Sequence, residues 1–250
     1  MTTPDLLTLS LKDIVTQDFH AAAVFEKYTL DFCCRGGKTI DEACRERGIE
    51  TTSVLGELET LRSKSQESSM RYGEWGADLL IDFIVKNHHG YVTRMIPVLY
   101  AHTQKVASVH GARHPEVIQI AARFDAIARE FQQHMQKEEH ALFPFIKALA
   151  RSKDGGQPAI PSPFGSVQNP IRMMEAEHQS AGDEMRTIRE LSGGYAPPDD
   201  ACTTYRIMYQ ELRDFEVDLH QHVHLENNIL FPKAIALEQA LTVSQEPVHL

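Results

Sequence analysis

Beyond residue 75, hydrophobic residues recur every three or four positions, which is the spacing that lets an α-helix bury one face. The four segments that carry this pattern are Trp75–His110, Pro115–Arg151, Pro170–Leu191 and Ala201–Leu241. No stretch alternates hydrophobic and polar residues for long enough to indicate a β-sheet. Glycine- and proline-rich joins of short or moderate length separate the segments. The pattern therefore predicts an all-α fold with an up-down-up-down four-helix bundle.

Shorter helices are predicted ahead of the bundle. They span Asp18–Tyr28, Ile40–Arg47 and Ser53–Arg62. Gly48 is a typical stop signal for the second of these helices, and the polar run Ser63–Ser69 has the composition of a linker. We therefore predict a small N-terminal helical domain over residues 1–65 and the bundle over residues 70–245.

Composition excludes several classes of partner. The chain has 250 residues, 42% of them hydrophobic, which is enough to bury a full core. Its formal net charge of -10 argues against binding nucleic acid or an acidic membrane face. The segment Met1–Ser10 lacks a basic stretch followed by an apolar run, and no segment approaches the roughly 18 apolar residues of a membrane span. We expect a cytoplasmic protein.

A repeated block carries the candidate chemistry. The block His134-x-x-x-Glu138, followed by Leu-Phe-Pro, recurs as His222-x-x-x-Glu226, again followed by Leu-Phe-Pro. Positions four apart share one helix face, so each block directs an imidazole and a carboxylate to the same point. The proline that closes each block is expected to kink or end the regular helical turn.

The apolar register around each block predicts which residues face the core. His134 and Glu138 continue the hydrophobic stripe of their helix, and the second block does the same, whereas His220 and His224 fall on the opposite side and are predicted to face solvent. An unpaired ionised carboxylate in an apolar core costs several kcal/mol. Because neither stripe contains a lysine or arginine, a bound metal is the economical explanation.

The other two long helices supply imidazoles at the same depth. His178 lies on the stripe of the third, and in the first either His88 or His89 continues an acceptable stripe, so periodicity leaves both open. Four imidazoles and two carboxylates suit two metal ions. If both carboxylates and a solvent-derived oxygen bridge the ions, each has about five ligands and one open position. These ligands favour iron over magnesium or calcium, and are also compatible with manganese and zinc.

The four cysteines do not have the dense paired spacing of a secreted disulfide scaffold, so reduced thiols are expected. Cys33 and Cys34 are adjacent, and neighbouring cysteines rarely pair with each other without strain. A buried structural role and an exposed reactive pair are the two alternatives for them, and nearby basic residues would favour thiolates. Cys44 and Cys202 are interpreted as packing residues.

Taken together, these motifs closely resemble those of the repair-of-iron-centres family (ScdA, YtfE, NorA and DnrN). The motifs are His89, His134-x-x-x-Glu138, Glu177-His178 and His222-x-x-x-Glu226-Asn-Asn-x-Leu-Phe-Pro, behind an Asp31-Phe32-Cys33-Cys34 turn. The resemblance covers nearly the whole chain. It implies a hemerythrin-like di-iron bundle behind a small ScdA-type helical domain, in a bacterial cytoplasmic protein.

The resemblance also implies a ligand set. It favours His89 over His88, because the family's ligand lies eight residues before a proline, here Pro97. The implied metal ligands are His89, His134, Glu138, His178, His222 and Glu226. Glu130 and Glu177 match acidic positions near the family's site, where they would hydrogen-bond the ligands or line an ion path. The alternative for both is solvated helix charge.

Function follows from the same resemblance as an expectation. We expect two non-haem iron ions, joined by an oxo or hydroxo bridge, in a protein of the nitrosative and oxidative stress response. The main hypothesis is repair of damaged iron-sulfur proteins by iron donation, with nitric oxide binding and with Cys33 and Cys34 taking part. The alternatives are a scavenger or sensor of nitric oxide or dioxygen, and a di-iron nitric oxide reductase, so conventional enzyme activity is left open. The linker would also permit a homodimer.

Overall fold

The computed structural model describes residues 3–64, 71–156 and 161–243. Within these ranges the regular elements are helical apart from one isolated β-bridge, which confirms the all-α class. Five short helices come first: α1 (Thr3–Thr8), α2 (Leu11–Gln17), α3 (Ala21–Lys27), α4 (Ile40–Arg47) and α5 (Thr51–Lys64). The predicted linker over residues 63–69 begins inside α5 and otherwise lies outside the described residues. No described helix is both long enough and apolar enough to cross a membrane.

Four helical rods form the bundle, as predicted. The rods are α6 (Ala77–Phe83) with α7 (Gly90–His110), α8 (Glu116–Lys137) with α9 (Phe143–Asp154), α10 (Gln168–Leu191), and α11 (Thr203–Leu225) with α12 (Phe231–Val243). In the first, second and fourth rods a π-helical turn joins the two halves. These turns span Ile84–His89, Glu138–Leu142 and Glu226–Leu230. A π-turn inserts extra backbone into a helix and is frequent at functional sites.

The two Leu-Phe-Pro sequences explain two of the π-turns. Pro144 and Pro232 stand at the start of α9 and α12, directly after the wider turns. Proline has no backbone N–H, and its ring clashes with the carbonyl four residues earlier, so the regular hydrogen-bond ladder is interrupted there. The interruption predicted from the sequence is confirmed, although each rod continues beyond it.

Local signals set the limits of α4 as predicted. Thr39 and Glu42 form a reciprocal capping box at its start, and Gly48 adopts a left-handed conformation with φ of 66° at its end. Helices α1 and α2 were not predicted. They bury Leu6 and Ile14 against the rest of the N-terminal helices.

The N-terminal helices pack on the outer face of the bundle. Phe32 is 1% exposed, and its ring lies 5.6 Å from the ring of His224 in α11. Glu26 of α3 lies 2.6 Å from Nδ1 of His220. The prediction that His220 and His224 face solvent is therefore wrong, because a second set of helices covers the side of α11 that faces away from the bundle core. Buried residues of the N-terminal helices and of the bundle belong to one hydrophobic cluster, which marks no boundary between two domains. The domain limits 1–65 and 70–245 therefore stay a prediction.

Candidate metal centre

Six side chains from four rods meet at the depth of the π-turns. His89 ends the first of these turns, and Glu138 and Glu226 begin the other two. The remaining imidazoles come from regular helix next to them. The six residues, none more than 2% exposed, are His89, His134, Glu138, His178, His222 and Glu226. The structure thus brings together all the ligands that the resemblance implied.

The donor atoms form two groups that share both carboxylates. One consists of His89, Glu138, His222 and Glu226, and the other of His134, Glu138, His178 and Glu226. Within each group the donor atoms lie within 4.8 Å of one another. The two Nε2 atoms of the first group are 3.1 Å apart, and those of the second are 2.8 Å apart. Neighbouring nitrogen ligands of one octahedral ion, each at about 2.1 Å, are about 3.0 Å apart.

The carboxylates have the placement and the unfilled hydrogen-bonding capacity that a metal pair requires. Oε1 of Glu226 lies 3.0 Å from His222 Nε2, and its Oε2 lies 3.1 Å from His178 Nε2, so each oxygen faces a different group. Both oxygens of Glu138 and Oε2 of Glu226 are buried without a hydrogen bond from any described residue. Burying such groups costs several kcal/mol unless a cation neutralises them. The donor set therefore fits two transition-metal ions bridged by carboxylates.

Hydrogen bonds on the far ring nitrogen orient three of the four imidazoles. They join His89 Nδ1 to Glu139 Oε1 at 2.7 Å, His134 Nδ1 to Glu177 Oε2 at 2.8 Å, and His178 Nδ1 to Asn227 Oδ1 at 2.8 Å. A proton held on Nδ1 leaves the Nε2 lone pair free for a metal and makes the ring a better donor. Each ring is thus fixed for coordination through Nε2.

The fourth imidazole is positioned by stacking. His222 packs against His88, with ring centroids 5.6 Å apart and 11° between the ring planes. Its Nδ1 is buried and has no hydrogen-bond partner among the described residues. His88 itself is turned away from the centre, since its Nδ1 lies 2.9 Å from Asp218. Of the two candidates that periodicity left open, the structure directs His89 into the centre.

Four other polar residues lie on the helices that supply the ligands, and two of them were not anticipated. Glu177 contacts His134 and Lys137, in agreement with a role beside the ligands. Glu130 is exposed on the surface of α8, which agrees with solvated helix charge. Glu139 and Asn227 were missed, although each directly follows one of the two core glutamates. The wider π-turn lets two consecutive side chains both reach the same layer.

Carboxylates and imidazoles in the centre shift each other's pKa. Burial lowers the pKa of His89, but the carboxylates of Glu138 and Glu226 outweigh burial and raise it to about 10. For the carboxylate of Glu226 the directions are reversed. Burial alone would raise its pKa, but His222, His178 and His89 hold it well below its usual range. The centre thus keeps its carboxylates ionised, and a metal ion can take the place of the imidazole protons.

The Cys33-Cys34 turn lies one layer outside the centre. Its two Sγ atoms are 3.7 Å apart, and Cys34 Sγ is 3.9 Å from the backbone oxygen of His178. Asp31 Oδ1 accepts the backbone N–H of Cys33 at 3.2 Å and that of Cys34 at 3.0 Å. Cys33 is buried and Cys34 is half-buried. Cys33 therefore fits the alternative of a buried structural role, whereas the thiol of Cys34 is partly accessible to solvent.

Charge around these thiols differs from the expectation. The hydrogen bond to Cys34 and burial raise the pKa of Cys33, and the Asp31 carboxylate adds to this. Arg35 turns instead toward Asp183, at 3.4 Å. The expectation that basic neighbours favour thiolates is therefore wrong for Cys33.

The other two cysteines differ from each other. Cys44 is fully buried, as expected of a packing residue. Cys202 is exposed at the start of α11, with its Sγ 3.2 Å from Nε2 of His110. The packing interpretation of Cys202 is wrong, because the residue lies in the loop ahead of the helix rather than on its apolar stripe.

Comparison with known proteins identifies the family. Residues 80–234 match the family model described as the hemerythrin HHE cation binding domain, and residues 8–62 match the ScdA_N model, described as a domain of unknown function (DUF542). The iron-sulfur cluster repair protein YtfE of Yersinia pseudotuberculosis serotype IB (strain PB1/+) is 34% identical over 216 residues, which are 86% of this chain and 91% of that protein. YtfE of Yersinia pestis (strain Pestoides F) gives the same values. The cation-binding match and the two His/Glu groups fit a di-iron centre. This chain therefore belongs to the repair-of-iron-centres family, with a hemerythrin-like bundle and an ScdA-type N-terminal region.

Proposed function

We propose that this protein holds two iron ions in the bundle and repairs damaged iron-sulfur clusters by giving up iron to them. The proposed ligands are His89, His134, Glu138, His178, His222 and Glu226. The observation that carries the proposal is that two groups of buried donors share two carboxylates, and that three of the four carboxylate oxygens have no hydrogen bond from the described residues. Bound iron would supply a redox-active Lewis acid pair with open positions for small ligands.

The chemistry of the ligands supports iron that can be exchanged. The proposed set contains no thiolate, and protons compete for both imidazole and carboxylate ligands. The carboxylates of Glu139 and Glu177 contact the buried imidazoles of His89 and His134, and they are themselves partly exposed, at 35% and 31% of their side chains. The relatives in Yersinia carry the name iron-sulfur cluster repair protein. Damaged iron-sulfur proteins of a bacterial cytoplasm are accordingly the proposed partners.

Labelled iron tests this function directly. The protein would be loaded with ⁵⁷Fe and incubated, without oxygen, with a [4Fe–4S] enzyme that nitric oxide has inactivated. We expect enzyme activity to return and the label to appear in the rebuilt cluster. The His178→Ala variant should deliver less label, whereas His110→Ala, far from the centre at the end of α7, should match the unmodified protein. Reactivation without label, or no faster than with the same amount of free iron, would refute iron donation.

Nitric oxide binding is part of the same proposal. The buried donors exclude large ligands, and a cleft of about 400 Å³ opens beside Glu139 and Phe143. If the reduced protein forms a stable nitrosyl but transfers no labelled iron, it is a scavenger or sensor of nitric oxide. Nitrous oxide produced over many turnovers would instead identify a nitric oxide reductase. A homodimer stays a prediction, to be tested by the mass of the protein in solution.

A further inference from the structure

The described part of the chain contains one further cluster of metal donors, outside the bundle. Asp31, Cys33 and Cys34 each offer a donor atom, and these atoms lie within 4.8 Å of one another. Two thiolates bound to one tetrahedral ion at about 2.3 Å are about 3.8 Å apart. The Sγ atoms of the pair are 3.7 Å apart, so they could bind one ion together without a change in their separation. Two sulfur donors and one carboxylate favour a thiophilic divalent ion.

The position of this cluster relates it to the di-iron centre. Cys34 lines a cleft of about 540 Å³ between the N-terminal helices and the bundle, and Asn227 lies on the bundle side of the same cleft. Asn227 holds Nδ1 of His178, while Cys34 Sγ lies against the backbone oxygen of that histidine. The cleft therefore brings the thiol pair to the outer side of a proposed iron ligand, at a place open to solvent.

We propose that Asp31, Cys33 and Cys34 form a second metal site, which holds one ferrous ion in transit between the bundle and an acceptor. This inference rests on the proposed iron donation. As the ion binds, Fe–S bonds form to both sulfurs and the two S–H protons pass to solvent. The two thiolates neutralise the charge of the ferrous ion, and the Asp31 carboxylate would supply a third ligand. Iron stays ferrous throughout, so the step needs no oxidant or reductant, and both thiols regain protons when the acceptor takes the ion.

The surroundings make such a site weak, as transit requires. Oδ1 of Asp31 already accepts three backbone N–H groups, from Cys33, Cys34 and Arg35, and the Cys33 thiol 3.4 Å away, so an ion at this oxygen must compete with those donors. The raised pKa of Cys33 means that the metal must compete with a proton. Arg35 and Arg186 also place two positive charges near the thiols, and the single carboxylate of Asp183 pairs with both. The bundle, with shared carboxylates and four imidazoles, should therefore bind iron more tightly than the thiol pair.

Cadmium is a suitable probe, because its thiolate complexes absorb in the near ultraviolet and it has no redox chemistry. The iron-loaded protein would be titrated with Cd²⁺ without oxygen, with iron content followed alongside. We expect one further equivalent to bind, with the absorbance of two thiolates and no loss of iron. Cys34→Ser should weaken cadmium binding at least about tenfold, by analogy with other lost metal contacts. The matched control is Cys202→Ser, which removes the exposed thiol beside His110 and should leave the titration unchanged.

Two results would overturn the inference. One is the lack of a thiolate band in the unmodified protein, and the other is a band that survives in Cys34→Ser but disappears in Cys202→Ser. Delivery to an apo iron-sulfur protein separates this inference from the proposed function. Cys34→Ser should keep its full iron content but deliver labelled iron more slowly than the unmodified protein. If it delivers iron at the unmodified rate, iron donation stands and the transit site falls, whereas no delivery by either protein refutes the proposed function itself.

Discussion

Replacing Asn228 with alanine should loosen the thiol turn from the bundle. The Nδ2 atom of Asn228 donates to the carbonyl oxygens of Phe32 at 3.3 Å and Cys33 at 3.2 Å, and lies 3.1 Å from Nδ1 of His224. Asn228 belongs to the π-turn Glu226–Leu230. One turn of backbone thus carries both a proposed metal ligand and the contact that holds the cysteines in place.

The size of the effect follows from the bonds lost. Asn228→Ala leaves two carbonyl oxygens of the thiol turn without their donor, and each lost hydrogen bond costs about 1 kcal/mol. The expected loss of stability is therefore about 2 kcal/mol, which for a chain of this size lowers the Tm by about 4–8 °C. Calorimetry of the iron-loaded protein measures this shift.

Hydrogen exchange locates the change. The amides of Cys33, Cys34 and Arg35 are held by Asp31, and they should exchange faster in Asn228→Ala once the turn is released. Asn169→Ala is the matched control, because Asn169 also donates to a backbone carbonyl, that of Phe164 at 2.8 Å, but at an exposed site away from this turn. An unchanged Tm together with unchanged exchange over residues 31–38 would refute the idea that Asn228 holds the turn.

Three further predictions concern the ligands and the interface. Replacing Glu139 or Glu177 with glutamine removes the anionic partner of an imidazole and should lower iron affinity about 10- to 100-fold in competition with a chelator; equal affinity would show that these carboxylates do not tune the ligands. Phe32→Ala removes a ring buried between the N-terminal helices and α11, and should cost about 3–5 kcal/mol in denaturant unfolding; a negligible cost would contradict the packing described above. Burial raises the pKa of Glu216 above its usual value of 4.5, so the stability that its neutral form contributes is complete below about pH 4.5 and is lost as the pH rises through the folded pKa. Glu216→Gln should therefore gain stability relative to the unmodified protein as the pH is raised from 4.5 towards neutrality, whereas a difference that does not vary with pH would be evidence against a raised pKa of Glu216 in the fold.

Much of the centre could be predicted because helical periodicity and burial are linked. The stripe that buries the hydrophobic residues of α8 also carries His134 and Glu138 inward, so the chemistry and the fold share one signal. Periodicity could not separate His88 from His89, since the π-turn Ile84–His89 changes the angle between successive side chains just there. Both histidines are in fact buried. They differ in what their rings face, because His88 Nδ1 lies against Asp218 whereas His89 belongs to a group of metal donors.

Contacts between distant parts of the chain could not be predicted in the same way. Periodicity correctly separated His220 and His224 from the metal stripe of α11. It carries no information about what covers the opposite side, and there Glu26 and Phe32 pack against them. The position of Cys202 beside His110 also depends on how the end of α7 meets the loop before α11, a contact without any local sequence signal.

Glu138 and Glu226 are proposed to be shared by two iron ions. Iron per chain, measured by elemental analysis after equilibration with limiting chelator, tests this sharing most directly. We predict two ions in the unmodified protein, loss of both in Glu138→Ala and in Glu226→Ala, and loss of mainly one in His89→Ala, since His89 belongs to one group only. If either glutamate variant keeps one ion at full affinity, or the unmodified protein binds fewer than two, the shared centre is contradicted.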